Sequence, residues 1–143
     1  MNKHGRIDSY ITFGGQCARA AKFYGELWGV EPKIMYAKEA PVPMEGMDPE
    51  HVMHASLSFD DGTSLLMSDG QGEQEFSARD ISLSWTSTNH DKVMKVWQKF
   101  LDAGAKVLMP LGPEFFAKLY GLLQDQFGLK WMIIEAEEGW RAD

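Results

Sequence analysis

The sequence predicts an α+β fold in which one strand–helix–strands unit occurs twice within 143 residues. Three observations predict it. Asp8–Val30 and Asp80–Ala105 each run from period-two alternation into helical periodicity and stop at a glycine. Each is followed by further alternating runs whose turns carry their own chemistry, Asp60-Asp61-Gly62 in the first half and Asp125-Gln-Phe-Gly128 in the second. The copies also match by position: Ile11 and Phe13 answer Leu83 and Trp85, while Phe23 and Leu27 answer Trp97 and Leu101.

The elements follow in order. Asp8–Phe13 alternates as a strand, with Ile11 and Phe13 on one face and Tyr10 and Thr12 on the other. Gly14-Gly15-Gln16 breaks it. From Cys17, the residues Ala20, Ala21, Phe23, Tyr24, Leu27 and Trp28 make an apolar helical stripe, which Gly29 ends and Pro32 keeps from resuming. Lys33–Ala37 reads as a strand, and the aperiodic Pro41–His51 as the longest loop. His54–Phe59 and Thr63–Ser68 then form a hairpin. In the second half, Ile81, Leu83 and Trp85 alternate against Ser82, Ser84 and Thr86. Thr88 or Asn89 caps a helix carrying Val93, Val96, Trp97, Phe100 and Leu101 on one face, and Gly104 ends it. Lys106–Met109 is a strand before Pro110, and the apolar runs Phe115–Leu123 and Trp131–Ile134 make the last hairpin. One domain of two modules is expected, about 6–69 and 79–137, joined by a polar connector at 70–78.

Composition narrows the function classes. This length buries roughly two-thirds of the unfolded surface. The net charge of −7 argues against a nucleic-acid surface, which needs clustered Lys and Arg. The single cysteine, Cys17, forms no intrachain disulfide, and no run approaches the roughly 18 apolar residues of a membrane span. The expectation is a soluble cytoplasmic protein that binds neither nucleic acid nor membrane. Nine Met and five Trp either fill an irregular core or wall an adaptable apolar cavity.

The wording of the chain is similar to a known superfamily. Tyr10-Ile-Thr-Phe-Gly-Gly-Gln-Cys17 leads into Ala21-Lys-Phe-Tyr24 and Leu27-Trp-Gly29; then come Val52-Met-His-Ala55, Leu66-Met-Ser-Asp69 and the stretch from Phe115 to Trp131. In this order they resemble the vicinal-oxygen-chelate superfamily of glyoxalase and bleomycin-resistance proteins, and within it the PhnB-like branch. The chain departs from that pattern at Phe116-Ala117, Gln126 and Leu129, where the family has Trp-Gly, Pro and often His. The resemblance implies two βαβββ modules whose mixed sheets curl around a shared cavity, and a homodimer. Its enzymes hold a divalent metal on the first and fourth strands of each module, positions that fall near Asp8, near Leu66 or Met67, near Asp80, and at Met132. Aliphatic and thioether side chains are poor ligands for a hard cation. Glu135 lies an odd three residues beyond Met132, on the opposite face of its strand. No metal and no other cofactor is therefore expected, with a divalent metal as the alternative. The family is also labelled a demethylubiquinone methyltransferase, but no Gly-x-Gly turn joins a strand to a helix here.

The candidate site follows from the alternation. His54, with Ser56 and Ser58, points away from Ala55, Leu57 and Phe59, hence into the cavity if the apolar set packs under the helices. It titrates near neutrality and is the first candidate for a general base or ligand contact; the plain reading is a hydrogen-bonded strand-end histidine. Asp69 either opens the connector turn or orients the His54 ring as its catalytic partner. Tyr10, Thr12, Ser82 and Ser84 give the cavity small hydroxyl-bearing walls. Trp85, Phe116, Tyr120 and Trp131 are core, or stack on a planar ligand. His4, His51 and His90 read as solvated, and Cys17 has no base placed beside it. The leading function is a PhnB-like small-molecule binding protein without a catalytic metal. The alternative is a metal-dependent lyase, isomerase or dioxygenase.

Overall fold

The computed structural model describes residues 3–43, 45–70 and 81–140. The chain divides into two compact units, Met1–Phe76 and Ser77–Asp143. In the first, β1 (Ser9–Thr12), α1 (Cys17–Trp28), β2 (Lys33–Tyr36), β3 (Val52–Ser58) and β4 (Ser64–Ser68) follow in sequence. In the second, β5 (Leu83–Ser87), α2 (His90–Asp102), β6 (Lys106–Glu114), β7 (Ala117–Gln124) and β8 (Lys130–Glu135) do the same. Each unit is therefore βαβββ. The sheet orders correspond, β1-β4-β3-β2 and β5-β8-β7-β6, with one parallel pair in each, β1 with β4 and β5 with β8. The fold is α+β with two four-stranded mixed sheets that do not close. The connector expected at 70–78 falls, apart from Gly70, outside the described residues, as does Asp80.

Local chemistry explains the elements. Gly29 ends α1 in the left-handed region at φ 66°, its N–H donating to the Gly25 carbonyl. Asn89 caps α2 by accepting from Lys92 N at 3.1 Å. In the β7–β8 turn, Asp125 Oδ1 accepts from the N–H groups of Phe127 and Leu129, and Oδ2 accepts from the indole N–H of Trp131. Gly128 supplies the positive φ.

Two boundaries differ from the sequence expectation. β6 runs through Pro110 and Pro113 to Glu114, because it is an edge strand where a missing N–H breaks no ladder. Its three register shifts also blur the alternation by which a strand is read. Phe115 and Phe116 are accordingly not in β7; they form the exposed β6–β7 turn, 98% and 57% accessible.

In unit 1, Ala55, Leu57, Leu65 and Met67 face α1 and meet Ala20, Ala21, Tyr24 and Leu27, all buried. Burying side chains the size of Leu57 and Met67 contributes about 1.5–3 kcal/mol each. In unit 2, Leu123, Trp131 and Ile133 face α2 with Val93, Val96, Trp97 and Phe100. The helices start at Cys17 and His90, so their buried residues answer one another as Ala20 with Val93, Tyr24 with Trp97 and Leu27 with Phe100. That register is one residue away from the sequence pairing of Phe23 with Trp97, which helical periodicity alone resolves poorly. Gly121 lets the strand pass beneath a ring: a Cβ there would stand 2.7 Å from Trp97 Cζ3.

Candidate functional site

The two faces of the first sheet differ in chemistry. Pairing fixes which residues share the face turned from α1. Met35 lies opposite His54, Lys33 opposite Ser56, Ser56 opposite Leu66, and Leu66 beside Tyr10; Thr12 and Ser68 continue the row. A register shift between Met35 and Tyr36 lets Val52 turn inward while His54 stays outward. His54 is exposed and Tyr10 half-exposed at 50%. The Tyr10 hydroxyl stands 3.2 Å from His54 Nδ1, with the two rings tilted at 39°.

The phenol is the stronger acid and the neutral imidazole nitrogen the stronger base, so Tyr10 donates and Nδ1 accepts. The ring proton then sits on Nε2. A protonated His54 also carries one there, so Nε2 is a donor in both charge states.

Asp69 has a different role from the one expected if it partnered His54. It is 1% exposed. Oδ1 accepts from Gly15 N and Cys17 N, and Oδ2 from Val52 N, each at 2.8 Å. Asp69 thus ties the β1–α1 turn and the start of α1 to β3, while the His54 ring meets Tyr10. Cys17 lies in the same buried knot at 0% exposure. Burial, and secondarily the Asp69 carboxylate, pushes its thiol up to about 12. Burial and the raised thiol both work against a nucleophilic role at this helix start.

The other expected site residues divide between faces. Ser84 and Thr86 pair with Met132 and Ile134 on the face turned from α2, where Tyr120 also lies, opposite Ile134. Ser82 precedes β5. Trp131 is buried on the helix side, its indole on Asp125 and its ring 5.8 Å from Phe100. Trp85 pairs with Ile133 on that same side. Phe116 packs edge-on against Phe115 at 5.1 Å and Tyr120 at 5.3 Å, at the exposed turn.

Sequence reading missed one pair. His90, at the start of α2, places Nδ1 2.5 Å from Oε1 of Glu135, whose side chain is only 4% exposed. Glu135 follows Ile134 as Asp69 follows Ser68 at the ends of corresponding strands. No local signal links residues 45 positions apart, but the repeat itself could have pointed from one carboxylate to the other. His51, expected to be solvated, is half-buried, and its Nδ1 has no hydrogen-bond partner among the described residues.

Asp8, one of the positions implied for a metal, is already engaged. Arg6 donates to both of its oxygens, at 2.6 and 2.9 Å, and to the Gly62 carbonyl at 2.7 Å. The Arg6 hydrogen bond holds the Asp8 carboxyl below its usual range. An open groove of about 480 Å³ runs there, lined by residues 6–9 and 61–64, at the far end of the sheet from the His54–Asp69 end of β3 and β4. Asp61 on its rim accepts from the N–H and hydroxyl of Thr63, and these bonds lower its carboxyl in turn. The groove's polar groups thus satisfy one another. No group of three His, Cys, Asp or Glu side chains placed to hold a metal ion occurs among the described residues. No helix among them is long and apolar enough to cross a membrane.

Known proteins share this architecture. Protein YjdN of Escherichia coli is 26% identical over 140 residues, covering 89% of this chain and 92% of its own. The crystal structure of protein PA1353 from Pseudomonas aeruginosa matches with a TM-score of 0.81 at 26% identity, over 94% of this chain and 99% of that one. A PhnB protein from Bacillus cereus matches at 0.74 and 24% identity, over 92% and 100%. Glyoxalase-related and glyoxalase/bleomycin-resistance/dioxygenase structures share the fold at 15–18% identity. The family model described as 3-demethylubiquinone-9 3-methyltransferase matches residues 6–134, and the chain belongs to that family, a PhnB-like group with the glyoxalase/bleomycin-resistance fold.

Proposed function

We propose that this chain is a small-molecule binding protein that works without a catalytic metal, and that Tyr10 and His54 form its recognition pair. The observation that carries the reading is the 3.2 Å contact between these two side chains on the sheet face turned from α1. A buried polar core would satisfy both partners internally. Here the pair fixes the ring and leaves Nε2 with a donor to offer.

Among the described residues, the side chains at the positions a metal would need argue against one. Leu66, Met67 and Met132 offer no hard donor, and Asp8 is held by Arg6. Glu135 lies on the helix side of β8 and bonds His90. The metal-dependent lyase, isomerase or dioxygenase reading would have to assemble an unusual site from Asp8, His54, Asp80 or Glu135. Stabilisation by Zn²⁺, Ni²⁺ or Mn²⁺ beyond ~2 kcal/mol would revive it. Methyl transfer, named in the family's description, gains no support from the strand–helix turns. The first N–H of α1, that of Cys17, is taken by Asp69, and the start of α2 is capped by Asn89.

His54→Ala tests the proposal. Stability should fall by less than ~1 kcal/mol, since an exposed strand residue contributes little packing. Binding of a ligand on this sheet face should weaken by ~1–3 kcal/mol, the usual cost of an unpaired polar partner. Clear destabilisation with unchanged binding would overturn it. A homodimer and a cytoplasmic location belong to the same proposal, and sedimentation showing only a species of single-chain mass would remove the dimer.

A further inference from the structure

The four strands of the first unit carry no acidic side chain. The molecule carries 21 acidic against 14 basic residues, a net charge of −7. Yet β1, β2, β3 and β4 (SYIT, KIMY, VMHASLS and SLLMS) contain no Asp or Glu at all. Their charged or neutral-range ionisable side chains are Lys33 and His54. Both lie on the face turned from α1: Lys33 sits opposite Ser56 and His54 opposite Met35, which places them diagonally on neighbouring strands. Diagonal neighbours of an antiparallel pair are about 7–8 Å apart, a span one small ligand group covers. Of the carboxylates flanking these strands, Asp8, just before β1, has both oxygens bonded to Arg6, while Glu31 lies two residues before Lys33, outside β2.

Every polar group in this patch is a donor or can act as one. Lys33 is a cation, His54 Nε2 carries a proton in either charge state, and Ser56 has a rotatable hydroxyl. Apolar surface adjoins it: Leu66 lies between Tyr10 and Ser56, and Met35 stands opposite His54, 40% exposed. A cation and an imidazole N–H on strands that carry no acidic side chain complement negative charge.

We propose that the ligand of this face is a small anion, a compound with a carboxylate or comparable oxyanion held by Lys33 and His54 and a compact apolar body over Leu66 and Met35. The proposal rests on the binding function above and specifies its ligand class.

Three probes with one ring and different charge, benzoate, benzamide and benzylammonium, test it by amide and side-chain NMR titration of the full chain. Benzoate should shift the resonances of Tyr10, Lys33, His54 and Ser56, with benzamide weaker by about tenfold and benzylammonium weaker still. Lys33→Gln, an exposed substitution that leaves the fold intact, should lower benzoate affinity about fivefold and leave benzamide unchanged. Benzamide binding this face as tightly as benzoate would overturn the anion proposal while leaving the binding function standing. Benzoate shifts confined to other residues would also overturn it. No shift on this face by any of the three at about 10 mM, weaker than millimolar affinity, would overturn both.

Discussion

Asp69 separates a structural from a catalytic reading more sharply than any other residue. Replacing it by Ala orphans three N–H donors at once, those of Cys17 and Val52, which are buried, and that of Gly15 at the turn. A hydrogen bond to a charged group contributes about 1.5–3 kcal/mol, and an unsatisfied buried donor costs about 1–3. The three share one carboxylate and couple, so their sum is less than additive. Asp69→Ala should therefore cost about 4 kcal/mol, a drop in Tm on the order of 15 °C for a chain this size. Asp69→Asn should cost roughly half as much. Its oxygen keeps the bonds from Gly15 and Cys17 in weaker, neutral form, while its NH₂ opposes the Val52 donor. Urea unfolding followed by circular dichroism reads both values. A loss under ~1 kcal/mol for the alanine variant, with ligand binding abolished, would refute the brace and return Asp69 to the chemistry.

Two further outcomes follow from buried contacts. Gly121→Ala puts a methyl group 2.7 Å from the Trp97 ring and 3.1 Å from Leu111 Cα. Thermal unfolding should show a loss of about 1–3 kcal/mol, and no loss would mean that the ring moves aside freely. Cys17 should not react with a disulfide reagent at pH 8 until the protein is denatured; native-rate labelling would refute its burial. With its folded pKa pushed up to about 12, the neutral thiol is the form the fold favours. This contribution is fully present below the unfolded pKa of about 8.5 and is lost as pH rises toward 12, so Cys17→Ser should flatten the alkaline loss of stability.

Much of the fold was legible because its signals are local. Gly29, Asn89, Asp61-Gly62 and Asp125 with Gly128 each act within a few residues, and period-two alternation placed Ala55, Leu57 and His54 on their correct faces. The same alternation put Trp85 among the apolar set, although aromatic bulk also made it and Trp131 candidates for a ligand. What was not legible lies far apart in sequence. Asp69 bonds residues 52 and 54 positions away, and Glu135 one 45 positions away. Without pairing, a carboxylate before a glycine reads as a turn. The strand through Pro110 was hidden because only its edge position makes proline tolerable there.

The duplication yields a last prediction, because the two copies solved one problem differently. Asp69 and Glu135 stand at corresponding strand ends beside the start of the helix of their own unit, both buried. The shorter Asp69 reaches the α1 backbone N–H of Cys17, whereas Glu135 meets the side chain of His90. The difference decides what removal leaves behind. Asp69→Ala strands the buried backbone donors of Cys17 and Val52. Glu135→Ala frees an imidazole that is already 60% exposed and regains water at once, while Asn89 still caps the helix. The cost is then chiefly one hydrogen bond and the cavity of a small carboxylate, about 1–2 kcal/mol, at most half that of Asp69→Ala. Parallel urea unfolding of the two variants gives the ratio directly. Equal losses would show that Glu135 braces its unit as Asp69 does, and that the His90 contact is incidental to what Glu135 holds together.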